Sequence, residues 1–213
     1  IGANFSSSGQ AVPRALALLK RRHPTLSVQM LEGSLEMLLP QLRSRKLDVV
    51  VARWPRGRQF DDLEEHAPFD QAMCTVCAPD HPLTRKRNPG WKDLAQWPWI
   101  FPPQGSAVRD DLAEMFRVCR ITPIDSGIAC ASIFANSILL RELRALAICP
   151  LSIARQFRSR KLLAILPIEL PSVFEPNSVI TLRGRAQSAA TREFIECLGE
   201  ATRAGMQKDP TET

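Results

Sequence analysis

Four short segments of the sequence combine Ser or Gly residues with a position between a predicted strand and a predicted helix. They are Ser6-Ser7-Ser8, Glu32-Gly33-Ser34, Gln104-Gly105-Ser106 and Cys130-Ala131-Ser132. Backbone N–H groups at a helix start point outward, and with Ser hydroxyls they suit a carboxylate, sulfonate, phosphate or polyhydroxy ligand. Ser is also a frequent N-cap, whose hydroxyl bonds to its own helix. The two roles are compatible, so both interpretations stay open at each segment.

Arg53 is the cation whose position points most directly to ligand binding. It follows the apolar segment 48–52, a predicted buried strand, and should therefore lie at the carboxyl edge of a sheet. A guanidinium at that edge can hold an acid through two parallel hydrogen bonds. An ion pair with a nearby acid such as Asp61 would explain the same residue equally well. The neighbouring Trp54 is expected either to line the ligand site or to pack in the core.

A second cation, Arg109, falls in the first turn of a predicted helix. The helix dipole disfavours a cation there, so an acid from a ligand or from the protein is expected nearby. Two aromatic residues flank this segment, Phe101 and Phe134. Both could line a ligand site, although core packing is the commoner role of such residues.

The sequence offers no constellation for catalysis or metal binding. Its three histidines are His23, His66 and His81, and their spacing predicts no metal-ligand pair. No nucleophile-elbow, phosphate-loop or dinucleotide motif occurs. We therefore predict no enzyme, no metal site and no cofactor.

Six cysteines include one close pair, Cys74-x-x-Cys77. This pair lies in a predicted strand, where positions three apart point to opposite faces, so it should neither chelate a metal nor close a redox bridge. The chain is too long and too apolar to need disulfides. The expectation is reduced, partly buried thiols in a cytoplasmic protein.

The elements that must position these residues alternate between strands and helices. The first part is predicted as strand 1–5, helix 10–22, strand 26–31, a helix from Leu35 that contains Pro40, and strand 48–52. Pro40 either kinks that helix or belongs to its first turn. Residues 54–66 resemble a loop. Later elements are predicted as strands 71–78, 97–101, 124–129, 145–149, 162–166 and 179–182 and helices 107–119, 132–143 and 189–203. This order is typical of open α/β sheets.

Composition sets the class of protein. The chain has 213 residues, 45% of them hydrophobic and 23% charged, enough for one large or two small cores and too balanced for disorder. No apolar run approaches the roughly 20 residues of a membrane helix. The net charge of +6 is spread along the chain, and Tyr is absent, so charge alone predicts no nucleic-acid surface. The chain opens at Ile1 without Met, which predicts a fragment.

A series of motifs runs in order through almost the whole chain. They are Gly2-Ala3-Asn4, Val12-Pro13-Arg14-Ala15-Leu16, His23-Pro24, Glu32-Gly33-Ser34, Leu42-Arg43-Ser44-Arg45-Lys46-Leu47-Asp48-Val49-Val50-Val51, His81-Pro82-Leu83, Trp97-Pro98-Trp99-Ile100, Cys149-Pro150 and Thr181-Leu182-Arg183. Each is weakly specific, but their order and spacing together resemble the effector-binding domain of LysR-type transcriptional regulators. Arg53 departs from the family pattern, in which many members carry Gly near this position.

The resemblance implies an α/β fold of two Rossmann-like lobes, like that of type 2 periplasmic binding proteins, with an effector cleft between the lobes. Residues 1–77 and 186–213 would form lobe I, and residues 78–185 lobe II. The effector would be small and anionic, such as a carboxylate, sulfonate or sugar acid. The candidate contacts are Ser7, Ser8, Glu32, Gly33, Ser34, Arg53, Trp54, Gly105, Ser106, Arg109, Ser132 and Phe134.

The resemblance also implies partners. An N-terminal winged helix-turn-helix, expected before Ile1, would bind promoter DNA. RNA polymerase is a further partner that the resemblance implies. A homodimer, and a tetramer of the full-length protein, are implied, with no role for a membrane. In the family, the first helix of lobe I packs against lobe II of a second subunit. Val12, Leu16 and Leu19 of that helix could equally face their own sheet.

Three other functions compete with a ligand sensor. A solute-binding protein for transport of a small organic acid or sugar would share the fold, but six cysteines and the absence of an export signal disfavour it. An enzyme on the same fold would need an acid–base constellation, which the sequence lacks. Direct DNA binding by this fragment is the weakest alternative, and it would show as salt-dependent retention on DNA.

Overall fold

A computed structural model of the chain describes residues 1–207 and divides it into two units. The first unit consists of residues 1–70 and the chain from residue 176 on, and the second consists of residues 71–175. The predicted boundaries, 77/78 and 185/186, both lie later along the chain than these divisions. The reason is strand pairing, as described below. Residues 208–213, included in predicted lobe I, lie outside the described residues.

Residues 1–207 form ten strands, eight α-helices and one short 3-10 helix, Pro82–Arg85. The strands are β1 Gly2–Ala3, β2 Leu31–Glu32, β3 Val50–Arg53, β4 Leu63–Phe69, β5 Met73–Cys77, β6 Pro98–Phe101, β7 Ile124–Ala129, β8 Ala147–Pro150, β9 Ala164–Ile165 and β10 Asn177–Leu182. The helices are α1 Phe5–Ser8, α2 Ala11–Arg22, α3 Leu35–Arg43, α4 Trp91–Leu94, α5 Ala107–Val118, α6 Ile133–Glu142, α7 Leu151–Ser159 and α8 Ala189–Gln207.

The first unit contains a five-stranded sheet in the order β2-β1-β3-β10-β4. Strands β2, β1 and β3 are parallel, whereas β10 runs antiparallel between β3 and β4. Because β10 pairs here, the chain returns to the first unit at residue 176, earlier than predicted. The core on one face contains α2 and α8 against Val51 and Val179, and the core on the other contains α3 against Val50 and Ile180.

Helix α2 packs against its own unit. Val12 and Leu19 are buried in the core that also contains Phe194 of α8, and the partly buried Leu16 packs against the same core. Of the two orientations left open by the sequence, the structure therefore shows the one in which this apolar stripe faces its own sheet.

The second unit contains the antiparallel strands β8-β5-β9 and the parallel pair β6-β7. A parallel bridge between Trp99 and Leu146 joins β6 to β8. Strand β5 pairs with β8 and β9, which places it in this unit although the sequence assigned it to lobe I. Its side chains alternate between two cores: Val76 belongs to one and Cys77 to the other.

Several predicted elements differ from the observed ones. Strand β4 occupies part of the segment 54–66, which was predicted as a loop. The strand was not predicted because only Leu63 of its first four residues is buried, so the alternation of apolar residues is weak. The predicted strand 26–31 pairs only at Leu31 and Glu32, opposite the equally short β1. Helix α7 was not predicted. Pro40 lies inside α3, beyond its first turn.

His81 predicts a pH dependence of folding. Its Nδ1 accepts from the Leu83 N–H at 3.2 Å, so Nε2 carries the proton and donates to the Arg144 carbonyl oxygen at 3.1 Å. Burial lowers the pKa of His81, hence the unfolded chain binds a proton more readily than the folded one. Stability should be unaffected above about pH 6.5 and should fall below it, by at most about 1.4 kcal/mol per pH unit.

The measurement is urea unfolding at pH 7.5 and pH 5.5 for the wild type and His81→Gln. The His81 variant should show a smaller loss of stability on acidification than the wild type. Equal pH dependence in the two proteins would contradict a buried neutral imidazole.

Candidate functional site

The predicted turns of the first unit meet at one edge of its sheet. Strands β2, β1 and β3 are parallel neighbours, so their carboxyl ends lie side by side. The segments after β2 and β1 carry Ser34 and Asn4, and β3 itself ends at Arg53. The antiparallel β10 begins at the same edge, where Asn177 pairs with Arg53. We call this set of strand ends the first-unit edge.

A buried polar network lies behind the first-unit edge. Asn177 Oδ1 accepts from Asn4 Nδ2 at 2.9 Å and from Ser6 Oγ at 3.2 Å. Asn4 Oδ1 accepts from the Ser7 N–H at 2.8 Å and thereby caps α1. Neither Asn4 nor Asn177 was predicted as a site residue from the sequence. Asn4 could have been found, because Asn directly before a helix is a preferred N-cap.

The serines and the glutamate predicted at this edge have distinct environments. Ser7 is fully buried, and its hydroxyl donates to the Val51 carbonyl oxygen at 3.0 Å. The Ser8 hydroxyl donates to the Phe5 carbonyl oxygen at 3.1 Å. Ser34 is the N-cap of α3 and accepts from the Met37 N–H. Gly33 is buried and Glu32 is exposed.

Arg53 is the largest buried charged side chain, at 1% exposure. A guanidinium in such a place interacts with an acid far more strongly than one in water, because the surrounding dielectric is low. The adjacent Trp54 is half-buried, donates from Nε1 to the Arg58 carbonyl oxygen at 3.0 Å, and contacts Phe60 edge-to-face at 5.3 Å. Both residues lie at the carboxyl end of β3, as predicted.

The second unit brings its predicted turns together in the same way. Strands β6 and β7 are parallel, so the segments 102–106 and 130–132 follow neighbouring carboxyl ends, the second-unit edge. Gly105 has φ +78°, a left-handed conformation that other residues adopt with strain. Ser106 precedes α5 and donates to the Pro103 carbonyl oxygen at 2.7 Å, and Ser132 caps α6 by accepting from the Ala135 N–H.

Arg109 is held against its own unit. Its guanidinium carbon lies 3.9 Å from the centre of the Phe101 ring, and Nη1 donates to the Pro102 carbonyl oxygen at 3.3 Å. The ring face and the carbonyl dipole both attract the cation at this helix start. Phe101 itself is buried, whereas Phe134 is 65% exposed and touches Phe157 edge-to-face at 5.1 Å.

Residues 1–207 contain neither a metal-binding cluster nor a membrane-spanning helix. No group of three or more His, Cys, Asp or Glu side chains in this part of the chain is arranged to hold a metal ion. None of the helices in the same range has both the length and the apolar content needed to cross a bilayer.

Comparison with known sequences decides the family. Residues 1–203 match the sequence profile of the LysR substrate binding domain. The chain belongs to this family. The LysR substrate-binding domain is thus the assignment for the whole chain, and the resemblance drawn from the motifs is confirmed.

Curated relatives of this LysR substrate-binding domain are transcriptional regulators. The chain is 23% identical over 209 residues to the HTH-type transcriptional regulator GbpR of Azospirillum brasilense, covering 98% of this chain and 61% of the relative. It is 21% identical over 196 residues to the transcriptional dual regulator GltC of Bacillus subtilis, covering 92% and 64%. The chain therefore spans about three fifths of the length of these relatives.

Solved structures confirm the fold. The effector binding domain of QuiR in complex with shikimate superposes with a TM-score of 0.78 at 20% identity, covering 98% of this chain and 97% of that one. The Synechocystis PCC6803 CcmR regulatory domain in complex with 2-PG gives 0.78 at 19% identity, covering 95% of each chain. The α/β, type 2 periplasmic-binding-protein-like fold is confirmed. The family match and the curated relatives do not favour a transport protein.

Proposed function

We propose that this LysR substrate-binding domain senses a small anionic effector, and that the acid binds at the first-unit edge. The observation that carries the proposal is Arg53, a buried cation at the carboxyl end of a parallel strand. An acid meeting a guanidinium there gains charge-assisted, bidentate hydrogen bonds in a poorly solvated place. The buried Asn4–Ser6–Asn177 network stiffens the backbone behind it.

The surroundings of Arg53 favour an acid that also has an apolar or ring portion. Phe5 and Met37, which follow β1 and β2, are exposed at 37% and 63%, and Trp54 follows β3. Apolar surface at three adjacent strand ends would be covered by such a ligand. Shikimate, the ligand in the QuiR complex, is a ring that bears a carboxylate. Carboxylates, sulfonates and sugar acids are therefore the classes to test.

Within the second unit alone, we propose effector contacts at the second-unit edge. Gly105 and Ser106 precede α5, Ser132 precedes α6, and Arg109 is held on the Phe101 ring. These contacts are secondary in the proposal, because Arg109 is only partly buried and works in a more polar medium than Arg53.

The test is a thermal-shift screen of small carboxylates, sulfonates and sugar acids, each paired with its neutral amide or ester. A ligand at a hundred times its Kd should stabilise the wild type by about 2.7 kcal/mol, and the neutral analogue should not. Arg53→Met should weaken binding of the hit at least about 100-fold, as the loss of a buried charge-assisted pair. Arg53→Lys should retain part of the affinity.

Arg14→Met is the matched control, because Arg14 is an exposed arginine on α2 of the same unit. It should bind the hit as the wild type does. If Arg53→Met binds the hit with full affinity, the acid does not bind at Arg53, and Arg109→Met would be the next variant to test. A panel in which no acid stabilises the wild type would argue against an anionic effector.

We further propose that the domain forms a homodimer in which α6 is part of the interface. Phe134 and Ile138 lie one turn apart on α6 and are 65% and 64% exposed, a costly apolar surface for a monomer. Ile138→Glu should weaken dimerisation at least about tenfold in sedimentation velocity. Ile124→Glu, at 48%-exposed Ile124 on β7, should leave it unchanged. Equal association of both variants would place the interface elsewhere.

In the full-length protein we propose that effector binding controls promoter DNA through a winged helix-turn-helix outside this chain. The relatives are named as transcriptional regulators, and the chain spans about three fifths of their length. The effector can shift the regulator between two states only by its difference in affinity for them. A tetramer and contact with RNA polymerase belong to this proposal for the full-length protein.

A further inference from the structure

The sequence draws attention to Cys74 and Cys77, but the structure gives Cys74 a different neighbour. Cys77 lies in the core with Trp99, whereas Cys74 lies in the core on the other side of β5. In that second core, Cys74 on β5 is directly paired with Cys149 on the antiparallel strand β8. All six cysteines of the chain are free thiols in the structure.

The backbone spacing at this pair suits a covalent bond. The Leu151 N–H donates to the Ala72 carbonyl oxygen at 2.8 Å, and hydrogen-bonded positions recur at every second residue of an antiparallel ladder. Cys74 and Cys149 therefore occupy a hydrogen-bonded position, where Cα atoms are about 5.5 Å apart. Disulfides span Cα separations of about 4.4–6.8 Å, which includes this spacing. The Cβ atoms at a hydrogen-bonded position lie at the wide end of about 4.5–5.5 Å, whereas a relaxed disulfide needs about 3.5–4.5 Å, so the bond would be strained and easily reduced.

The side chains are also directed suitably. Cys74 Sγ lies 3.4 Å from the Cys149 carbonyl oxygen, so this thiol already extends over its partner residue. Both residues are buried against Ile153 and Phe157 of α7, with Cys74 6% and Cys149 1% exposed. The pair is thus shielded from large reagents by α6 and α7, and Cys74 is its more accessible member.

We propose that Cys74 and Cys149 are a reversible thiol–disulfide pair that is oxidised by low-molecular-weight disulfides. The Cys74 thiolate attacks one sulfur of the reagent, whose S–S bond breaks and releases one thiolate, which takes up a proton. The Cys149 thiolate then attacks the Cys74 sulfur of the mixed disulfide and displaces the second reagent thiol. Two protein thiols are oxidised, and one reagent disulfide is reduced to two thiols.

The burial of the two thiols determines the rate of this exchange. Burial raises the pKa of the Cys74 thiol to about 12, so the reactive thiolate is scarce at neutral pH. Exchange then requires local opening of α7 from the sheet, and it is slow in both directions. The pair would respond to a sustained oxidising condition. Its bond would tie the start of β5 to the end of β8.

The test is to refold the protein from urea in glutathione buffers of graded redox ratio. In the unfolded chain both thiols are accessible, so the slow exchange of the buried thiols does not limit the result. Free thiols are blocked with N-ethylmaleimide, and the links are identified by peptide mapping without reduction. The wild type should acquire a Cys74–Cys149 link that titrates with a single midpoint, and the oxidised protein should melt at a higher temperature. Cys74→Ser and Cys149→Ser should lose both effects.

Cys77→Ser is the matched control, because Cys77 lies on the same strand with its side chain on the other face. It should keep the link and its midpoint. If Cys149→Ser does not refold, Cys149→Ala replaces it. If Cys74 and Cys149 are both still labelled by N-ethylmaleimide at the most oxidising ratio, the pair has not formed a disulfide and the proposal is overturned. A Cys74–Cys77 disulfide formed in equal amount would also overturn it.

Discussion

Replacement of Asn177 by alanine is expected to lower the free energy of unfolding by about 2 kcal/mol. Asn177 is fully buried, and its Oδ1 is the acceptor for both the Asn4 amide and the Ser6 hydroxyl. Each buried donor that loses its acceptor costs about 1–3 kcal/mol. The Ser6 hydroxyl retains the Asn4 Oδ1 at 3.0 Å, so most of the loss comes from the Asn4 amide.

The measurement is urea unfolding by circular dichroism, with hydrogen exchange of peptides from residues 1–70 to assign the loss to the first unit. Ser6→Ala is the matched control. It leaves the hydrogen bond from Asn4 Nδ2 to Asn177 Oδ1 in place and should cost less than the alanine variant of Asn177. In a double-mutant cycle of Asn177→Ala with Asn4→Ala, a coupling of about 1–2 kcal/mol is expected. Strict additivity of the two substitutions would show that the network does not act as a unit.

Replacement of Trp99 by alanine is expected to cost about 3–5 kcal/mol and to weaken the second unit selectively. Trp99 is the largest fully buried side chain, packs edge-to-face on Phe116 at 4.9 Å, and donates from Nε1 to the Leu94 carbonyl oxygen at 3.2 Å. Its removal leaves a large cavity between β6 and α5. It also leaves the Leu94 carbonyl group without this donor.

Two further variants separate the causes of that loss. Trp99→Phe keeps most of the packing and should cost mainly the indole hydrogen bond, about 1–2 kcal/mol. Trp91→Ala, at the half-buried margin of the same core, should cost less than half as much as Trp99→Ala. Hydrogen exchange should locate the loss of protection in peptides from 71–175. Equal loss in both units would show that they unfold as one.

The sequence predicted the elements whose apolar residues face a core in a regular pattern. Helices α2, α5 and α6 lie within a few residues of their predicted bounds, because their buried residues recur at helical spacing. Helix α7 was missed although Ile153 and Phe157 are one turn apart, because the arginines around them mask the pattern. Strand β4 was missed because an edge strand buries few of its residues.

The same distinction applies to the candidate site. Arg53 and Ser34 were placed correctly at strand ends, because the rule for parallel strands needs only local sequence. Asn177 was not found, since it reaches the first-unit edge on an antiparallel strand and bonds to a residue 173 positions away. The pairing of Cys74 with Cys149 is equally non-local. Contacts of this kind depend on the register between strands, which local patterns leave undetermined.

The position of β10 between β3 and β4 affects the order in which the chain can fold during synthesis. When residues 1–70 have left the ribosome, β3 and β4 still lack the strand that joins them, which ends at Leu182. All five strands of the second unit lie within residues 71–175, so this unit can complete its sheets as soon as residue 175 has emerged. Of the two units, the one whose residues begin to emerge first is therefore the last to complete its sheet, and its apolar strand edges stay open to misassembly for longer.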